Sequence, residues 1–111
     1  MPVADNLKRV TAELPEGVRL VAVSKFHPAE AVVEAYGAGQ RIFGESRADE
    51  LTAKRAACPD DIEWHFIGHL QSNKVSRVVE AADVIQSIDS VRLLRRVDDA
   101  AARLGRRLRV F

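Results

Sequence analysis

Short apolar segments alternate with amphipathic segments along the whole 111-residue chain, and this alternation constrains the fold most. Residues 18–24 form an aliphatic run rich in β-branched side chains, which is typical of a strand covered on both faces. Further strands are predicted at 41–43, 63–67, 84–87 and 107–111, and helices between them at 28–37, 47–56, 73–81 and 91–104. The pattern predicts an α/β fold with a parallel sheet, and it leaves an open doubly wound sheet and a barrel as alternatives.

Two helices carry clear signals at their ends. A first helix is predicted where apolar residues recur at helical spacing before Pro15 and Gly17, namely at Val3, Leu7, Val10 and Leu14. Ser90 is expected to cap the last helix and Gly105 to end it. The inner face predicted for this last helix consists of Val91, Leu94, Val97, Ala101 and Leu104.

The composition excludes several classes of function. The 17 basic residues are balanced by 16 acidic ones and 47% of residues are hydrophobic, which indicates a globular protein without affinity for nucleic acid. No apolar run approaches the roughly 20 residues that span a bilayer, so no membrane role is expected. A single cysteine, Cys58, and an N-terminus without a secretory leader predict a cytoplasmic location.

Lys25 is the first candidate for chemistry, because ligands gather at the carboxyl ends of parallel strands. Strand alternation places it on the same face as Val21 and Val23, so its aliphatic stem would run along buried surface. Desolvation would lower the pKa of its ammonium group, as a Schiff-base lysine requires. A lysine that extends to solvent from a strand end remains the alternative on position alone.

Other residues at predicted strand ends give weaker signals. Gly44 and Gly68 each follow a strand and would let a ligand approach the backbone, but neither belongs to a known nucleotide-binding loop. Asp89 is interpreted either as a general acid or base or as a cap of the next helix. Cys58 has no evident base partner.

His65 and His69 lie four residues apart with Glu63 nearby, so a metal site has to be considered. Here the spacing spans a strand and the following turn, not one face of a helix, and the His-Glu-x-x-His motif is absent. A hydrogen-bonded His65 and a His69 at the rim are therefore favoured, and no metal site is predicted.

Four segments, residues 21–25, 38–45, 64–74 and 87–90, together resemble the pyridoxal-phosphate homeostasis protein family in order and spacing. The third segment, which begins Trp64-His65-Phe66-Ile67-Gly68, is highly specific. The resemblance implies a (β/α) barrel of the TIM type, like the N-terminal domain of alanine racemase, that holds pyridoxal 5'-phosphate on a lysine. It implies a role in buffering and delivering this cofactor, without a well-established enzymatic turnover.

The same resemblance implies a set of cofactor-binding residues: Lys25 as the aldimine lysine, with Gly44, Ser46, His65 and Asn73 around it. Ser46 replaces an asparagine that is usual in the family, and Arg47 replaces a tyrosine. A serine hydroxyl can still form hydrogen bonds but reaches less far than an amide. Gln71 and Lys74 are interpreted as supporting residues.

The chain is shorter than a complete barrel, which needs eight strands in about 250 residues. Residues 1–111 are therefore expected to form a single incomplete barrel domain that ends within about the fifth strand, without the later loops that bind phosphate. A lone chain is expected to bind the cofactor weakly or not at all, and its exposed strand edges could form a homo-oligomer. A pyridoxal-phosphate-dependent racemase-like enzyme and a scaffold that no longer binds cofactor are the alternative functions.

Overall fold

The computed structural model of the chain describes residues 20–24 and 27–111. It contains a parallel sheet of five strands, whose spatial order is the same as their order in the chain. The strands are β1 (Ala22–Val23), β2 (Ile42–Glu45), β3 (Glu63–Phe66), β4 (Val84–Ile85) and β5 (Arg109–Val110). A sheet that winds in one direction without reversing its order is built like a (β/α) barrel and not like a doubly wound sheet. The predicted partial barrel is confirmed.

The helices follow the strands as the alternation predicts. They are α1 (Ala29–Gly37), α2 (Ala48–Ala57), α3 (Val75–Ala81), which a short 3-10 turn (Ser72–Lys74) precedes, and α4 (Val91–Leu104). The helix predicted from Val3 to Leu14 lies outside the described residues. Within the described part of the chain, no helix combines the length and the hydrophobicity that crossing a bilayer requires.

β3, β4 and β5 are shorter than predicted, whereas β2 extends beyond its predicted end. Gly44 and Glu45 were expected to follow a strand at 41–43, but both lie inside β2, where Gly44 pairs with Val23 of β1 and with His65 of β3. Apolar periodicity ends at Phe43 because the next residues are a glycine and a glutamate. The ladder nevertheless continues, since pairing on both sides satisfies the backbone groups of these two residues.

The core lies between the sheet and the helices. Phe43 and Trp64 are buried side by side, with ring centroids 5.8 Å apart. The fully buried Leu51 of α2 and Val78 of α3 belong to the same core cluster. Burial of each large side chain contributes roughly 1.5–3 kcal/mol.

The inner face predicted for α4 is wrong in part. Leu93, Val97 and Ala100 are the buried residues, whereas Val91, Leu94 and Leu104 are 66%, 40% and 46% exposed. The helix carries apolar residues on two adjacent stripes, so periodicity alone could not choose between them. The predicted ends are confirmed: Leu93 N donates to Ser90 Oγ over 3.1 Å, and Gly105 adopts the left-handed conformation with φ of 66°.

Candidate functional site

A buried polar cluster joins the carboxyl ends of β1 and β2 to α2. Its members are Ser24, Glu45 and Lys54, which we call the Glu45 cluster, and Glu45 and Lys54 are 0% and 7% exposed. The ammonium of Lys54 lies 3.0 Å from Glu45 Oε2 and donates to Ser24 O over 2.6 Å. The hydroxyl of Ser24 donates to the same carboxylate oxygen, Glu45 Oε2. The cluster therefore ties two strand ends to one helix.

Local structure explains how these residues meet. Val23 pairs with Gly44, so the next residues along each strand, Ser24 and Glu45, lie side by side on the helix-facing side of the sheet. Ser24 N also donates to Gly44 O over 3.0 Å, which extends the pairing past β1. Lys54 is three residues after the fully buried Leu51, on the same stripe of α2, so its side chain enters the buried layer.

The electrostatics of the cluster are those of a buried ion pair. Burial raises the pKa of Glu45, while hydrogen bonds from Ser24 and Lys54 act against this shift. Lys54 has a second carboxylate at 3.5 Å, that of Glu50. Within the described residues Glu45 Oε1 is buried without a hydrogen-bond partner. Removal of Lys54 would leave the Glu45 carboxyl buried without a cation beside it, which is costly.

The cluster bears directly on Lys25, although Lys25 itself lies outside the described residues. Ser24 O is the carbonyl oxygen of the peptide bond that joins Ser24 to Lys25. This oxygen accepts hydrogen bonds from Lys54 Nζ at 2.6 Å and from His27 N at 3.0 Å. The chain is thus held firmly at the residue before the predicted cofactor lysine.

Sequence reasoning missed Lys54 altogether, because lysines on helices are usually exposed. One signal was present in the sequence. Lys54 falls three residues after Leu51 on an apolar stripe, and a charge on such a stripe is a sign of a buried partner. Glu45 was noted only as part of a motif, and its link to Ser24 depends on the register of β1 and β2.

His65 lies on the opposite face of the sheet from the Glu45 cluster, in the row of Gly44. Its Nε2 is 2.6 Å from Glu63 Oε2, and its Nδ1 is 2.7 Å from Gln86 Nε2. Arg109 Nη2 approaches the other oxygen of Glu63 to 2.5 Å. Protein groups therefore engage both ring nitrogens, which agrees with the interpretation of His65 as a hydrogen-bonded residue. No group of three or more metal-binding side chains occurs in the part of the chain that the structure describes.

The turns after β2 and β3 touch each other through their backbones. A Cβ atom added to Gly68 would lie 2.8 Å from Ser46 Cα, so this close approach requires glycine. Ser46, Gln71 and Lys74 line one pocket of about 440 Å³ between these turns. Asn73, in the 3-10 turn, is exposed and is not among the residues that line this pocket.

Asp89 and Cys58 have no role that the geometry supports. The side chain that caps α4 is that of Ser90, so the interpretation of Asp89 as the cap is wrong. Asp89 is exposed at the edge of a shallow pocket. Cys58 is buried, and this burial raises the pKa of its thiol, which disfavours the reactive thiolate.

A family model for the N-terminal domain of alanine racemase matches residues 2–111. The chain belongs to this family. A pyridoxal phosphate homeostasis protein of Schizosaccharomyces pombe is 46% identical to the chain over 96 residues, which are 85% of this chain and 40% of that protein. The resemblance stated from the sequence motifs is confirmed.

Solved structures similar to the chain agree with the fold. PipY of Synechococcus elongatus, solved with pyridoxal phosphate bound, has a TM-score of 0.93 and 48% identity and matches 97% of this chain and 52% of its own. Alanine racemase from E. faecalis has a TM-score of 0.73 at 20% identity over 86% of this chain and 27% of its own, which shows the fold alone. The chain spans about half the length of PipY and 40% of the length of the Schizosaccharomyces pombe protein.

Proposed function

We propose that the chain is part of a pyridoxal 5'-phosphate-binding protein that buffers and delivers the cofactor, with Lys25 as its covalent anchor. The observation that carries the proposal is the structure of PipY with the cofactor bound, since its match covers 97% of this chain at 48% identity. The homeostasis role comes from the names of relatives such as the Schizosaccharomyces pombe protein. Those relatives are named for homeostasis and not for a reaction, so we propose a binding role and not an enzymatic one.

The residues at the end of β1 fit a covalent anchor. Alternation along β1 predicts that Lys25 follows Val23 onto the face of Gly44 and His65, away from the Glu45 cluster. Ser24, on the other face, is fixed by its backbone and its side chain together. A rigid anchor lowers the entropy cost of presenting the lysine to an aldehyde, the group through which this cofactor forms a Schiff base.

The other predicted binding residues have different roles in this proposal. Gly44 keeps the face beside Lys25 free of a side chain, with Ile67 and Val21 packed around it. His65 has a structural role on the same face, where it forms hydrogen bonds with Glu63 and Gln86, and it does not react with the cofactor. Ser46 and Asn73, in the turns beyond β2 and β3, remain predictions as cofactor contacts.

Assembly and affinity are further parts of the proposal. In the described sheet β1 pairs with β2 alone and β5 pairs with β4 alone, so each of these two outer strands has one unpaired edge. Pairing through such edges is the proposed route to a homo-oligomer, which sedimentation of the chain at several concentrations would detect. Because the chain covers about half of PipY, we propose that it binds the cofactor weakly by itself.

The proposal is tested by an absorbance titration of the full chain with pyridoxal phosphate. We expect a saturable Schiff-base band that Lys25→Ala removes and that Lys25→Arg also removes, since arginine keeps the charge but forms no Schiff base. A band of equal intensity in all three proteins would contradict the role of Lys25. Absence of a band in the unsubstituted chain, even with excess cofactor, would favour the scaffold without cofactor binding.

A further inference from the structure

A second concave site lies beyond the ends of β2 and β3, on the helix side of the sheet. We call it the β2–β3 pocket, a space of about 440 Å³ between the start of α2 and the turn that leads into α3. Phe66, a core residue of the helix-facing layer, forms part of its wall. Lys25 is predicted on the opposite face of the sheet, so the pocket is separate from the cofactor anchor although Ser46 borders it.

The charges around the β2–β3 pocket are unbalanced. Arg47, Lys74 and Arg77 contribute three cations, and Asp49 contributes one carboxylate. Asp49 is already engaged by Arg47, whose Nε lies 3.5 Å from Asp49 Oδ1. Lys74 and Arg77 have no ion-pair partner in the described part of the chain. They lie three residues apart, from the turn into the first helical turn, so they approach the pocket from the same side.

The polar groups around these cations suit an oxyanion. Gln71 and His69 supply amide and imidazole groups that can donate hydrogen bonds, and Ser46 supplies a hydroxyl. At the start of α2 the N-cap residue Arg47 forms no side-chain hydrogen bond to the helix, and the Asp49 carboxylate accepts hydrogen bonds from the backbone of residues 49 and 50. The cations Lys74 and Arg77, and not the helix terminus, therefore carry the site. Hydrogen bonds from charged donors to a carboxylate or phosphate are the strong class.

We propose that the β2–β3 pocket binds a small oxyanion, a phosphate or carboxylate group, held by Lys74 and Arg77. The alternative is that both cations belong to a solvated surface. A convex surface would explain unpaired charges, but it would not explain why two unpaired cations and three hydrogen-bonding side chains surround one concavity at the edge of a parallel sheet where ligands bind. The proposal does not depend on the cofactor.

The test is a nuclear magnetic resonance titration of the full chain with inorganic phosphate and, separately, with acetate at constant ionic strength. We expect saturable shifts of amides around the pocket, at 46–49 and 71–77, in at least one arm. Saturation with phosphate alone identifies a phosphate ligand, and saturation with acetate identifies a carboxylate ligand. Shifts that stay linear and unsaturated in both arms would overturn the proposal.

Matched variants separate a built site from general charge. Lys74→Met/Arg77→Met should weaken binding about tenfold or more, which corresponds to about 1.4 kcal/mol. Arg95→Met/Arg96→Met removes the same charge from exposed positions of α4 and should leave the affinity within about twofold, and Lys25→Ala should also leave it unchanged. Equal weakening by both double variants would refute the site. The single variant Arg77→Gln, at an exposed helix position, tests for the same loss of oxyanion affinity with less disturbance of the fold.

Discussion

The ammonium of Lys54 donates a hydrogen bond to the carbonyl oxygen of Ser24 over 2.6 Å, although the two residues are 30 positions apart in the chain. The same ammonium lies 3.0 Å from Glu45 Oε2. One buried cation thus connects α2 with the ends of β1 and β2. This oxygen belongs to the peptide group that joins Ser24 to Lys25, so we expect the position of the predicted anchor to depend on the integrity of the Glu45 cluster.

Loss of the buried cation should destabilise the fold strongly. Lys54→Met is expected to lower the free energy of unfolding by about 3–5 kcal/mol, because it leaves the Glu45 carboxyl buried without its partner. Urea denaturation, followed by the fluorescence of Trp64, the single tryptophan, measures the effect. The matched control is Glu45→Leu/Lys54→Met, which replaces the pair by apolar side chains and should recover most of the loss. A double variant as unstable as Lys54→Met would contradict this account.

The recovered double variant separates stability from positioning. Glu45→Leu/Lys54→Met folds in this account, but Ser24 O loses its contact with Lys54 and Ser24 Oγ loses its acceptor. We therefore expect the half-saturating concentration of pyridoxal phosphate to rise at least about threefold, or about 0.7 kcal/mol. An absorbance titration beside the unsubstituted chain measures it. Unchanged affinity would show that the cluster stabilises the fold without positioning Lys25.

The stability of the chain should depend on the ionisation of Glu45. Burial raises the pKa of this carboxyl in the folded chain above its value of about 4.3 in an unfolded chain. A raised pKa means that the folded state binds the proton more tightly than the unfolded state does. The resulting contribution of Glu45 to the free energy of unfolding is therefore full below the unfolded pKa and is lost as the pH rises through the folded pKa. Glu45→Gln cannot ionise and should lack this loss. Urea denaturation at pH values from 4 upward compares the two, and parallel pH profiles would contradict the prediction.

The contact between the turns after β2 and β3 should not tolerate a methyl group. Gly68→Ala would place Cβ 2.8 Å from Ser46 Cα, and since the obstacle is backbone, the turns must move at a cost of about 1–3 kcal/mol. Gly37→Ala is the matched control, because a Cβ there meets no atom within 4 Å and the residue belongs to α1. It should be neutral or slightly stabilising. Equal thermal stabilities of the two variants would count against the close approach.

The sequence predicted the fold well where local signals were strong. The order of strands and helices, Ser90 as a cap and Gly105 as a stop all follow from residues within one or two turns of each other. The choice between barrel and open sheet could not be made from pattern, because both contain the same βαβ units, and the strand order decided it. The burial of α4 was misjudged because two apolar stripes compete there.

The candidate site was harder to predict than the fold. Lys25 and Gly44 could be selected by their motif, but Lys54 joins the site only through the register of β1 with β2 and the packing of α2. Periodicity records which face a residue occupies and not which distant residue it meets. The β2–β3 pocket shows the same limit, since Arg47 and Arg77 are 30 positions apart in sequence.

Mapping the site of covalent attachment tests the central claim most directly. The full chain is mixed with pyridoxal phosphate, reduced with borohydride and digested, and mass spectrometry measures the modified fraction of each lysine. The account predicts that modification concentrates on Lys25 over Lys8, Lys54 and Lys74 in the folded chain, and that urea abolishes this selectivity. Modification spread equally over the lysines of the folded chain would contradict the claim that Lys25 is the cofactor anchor.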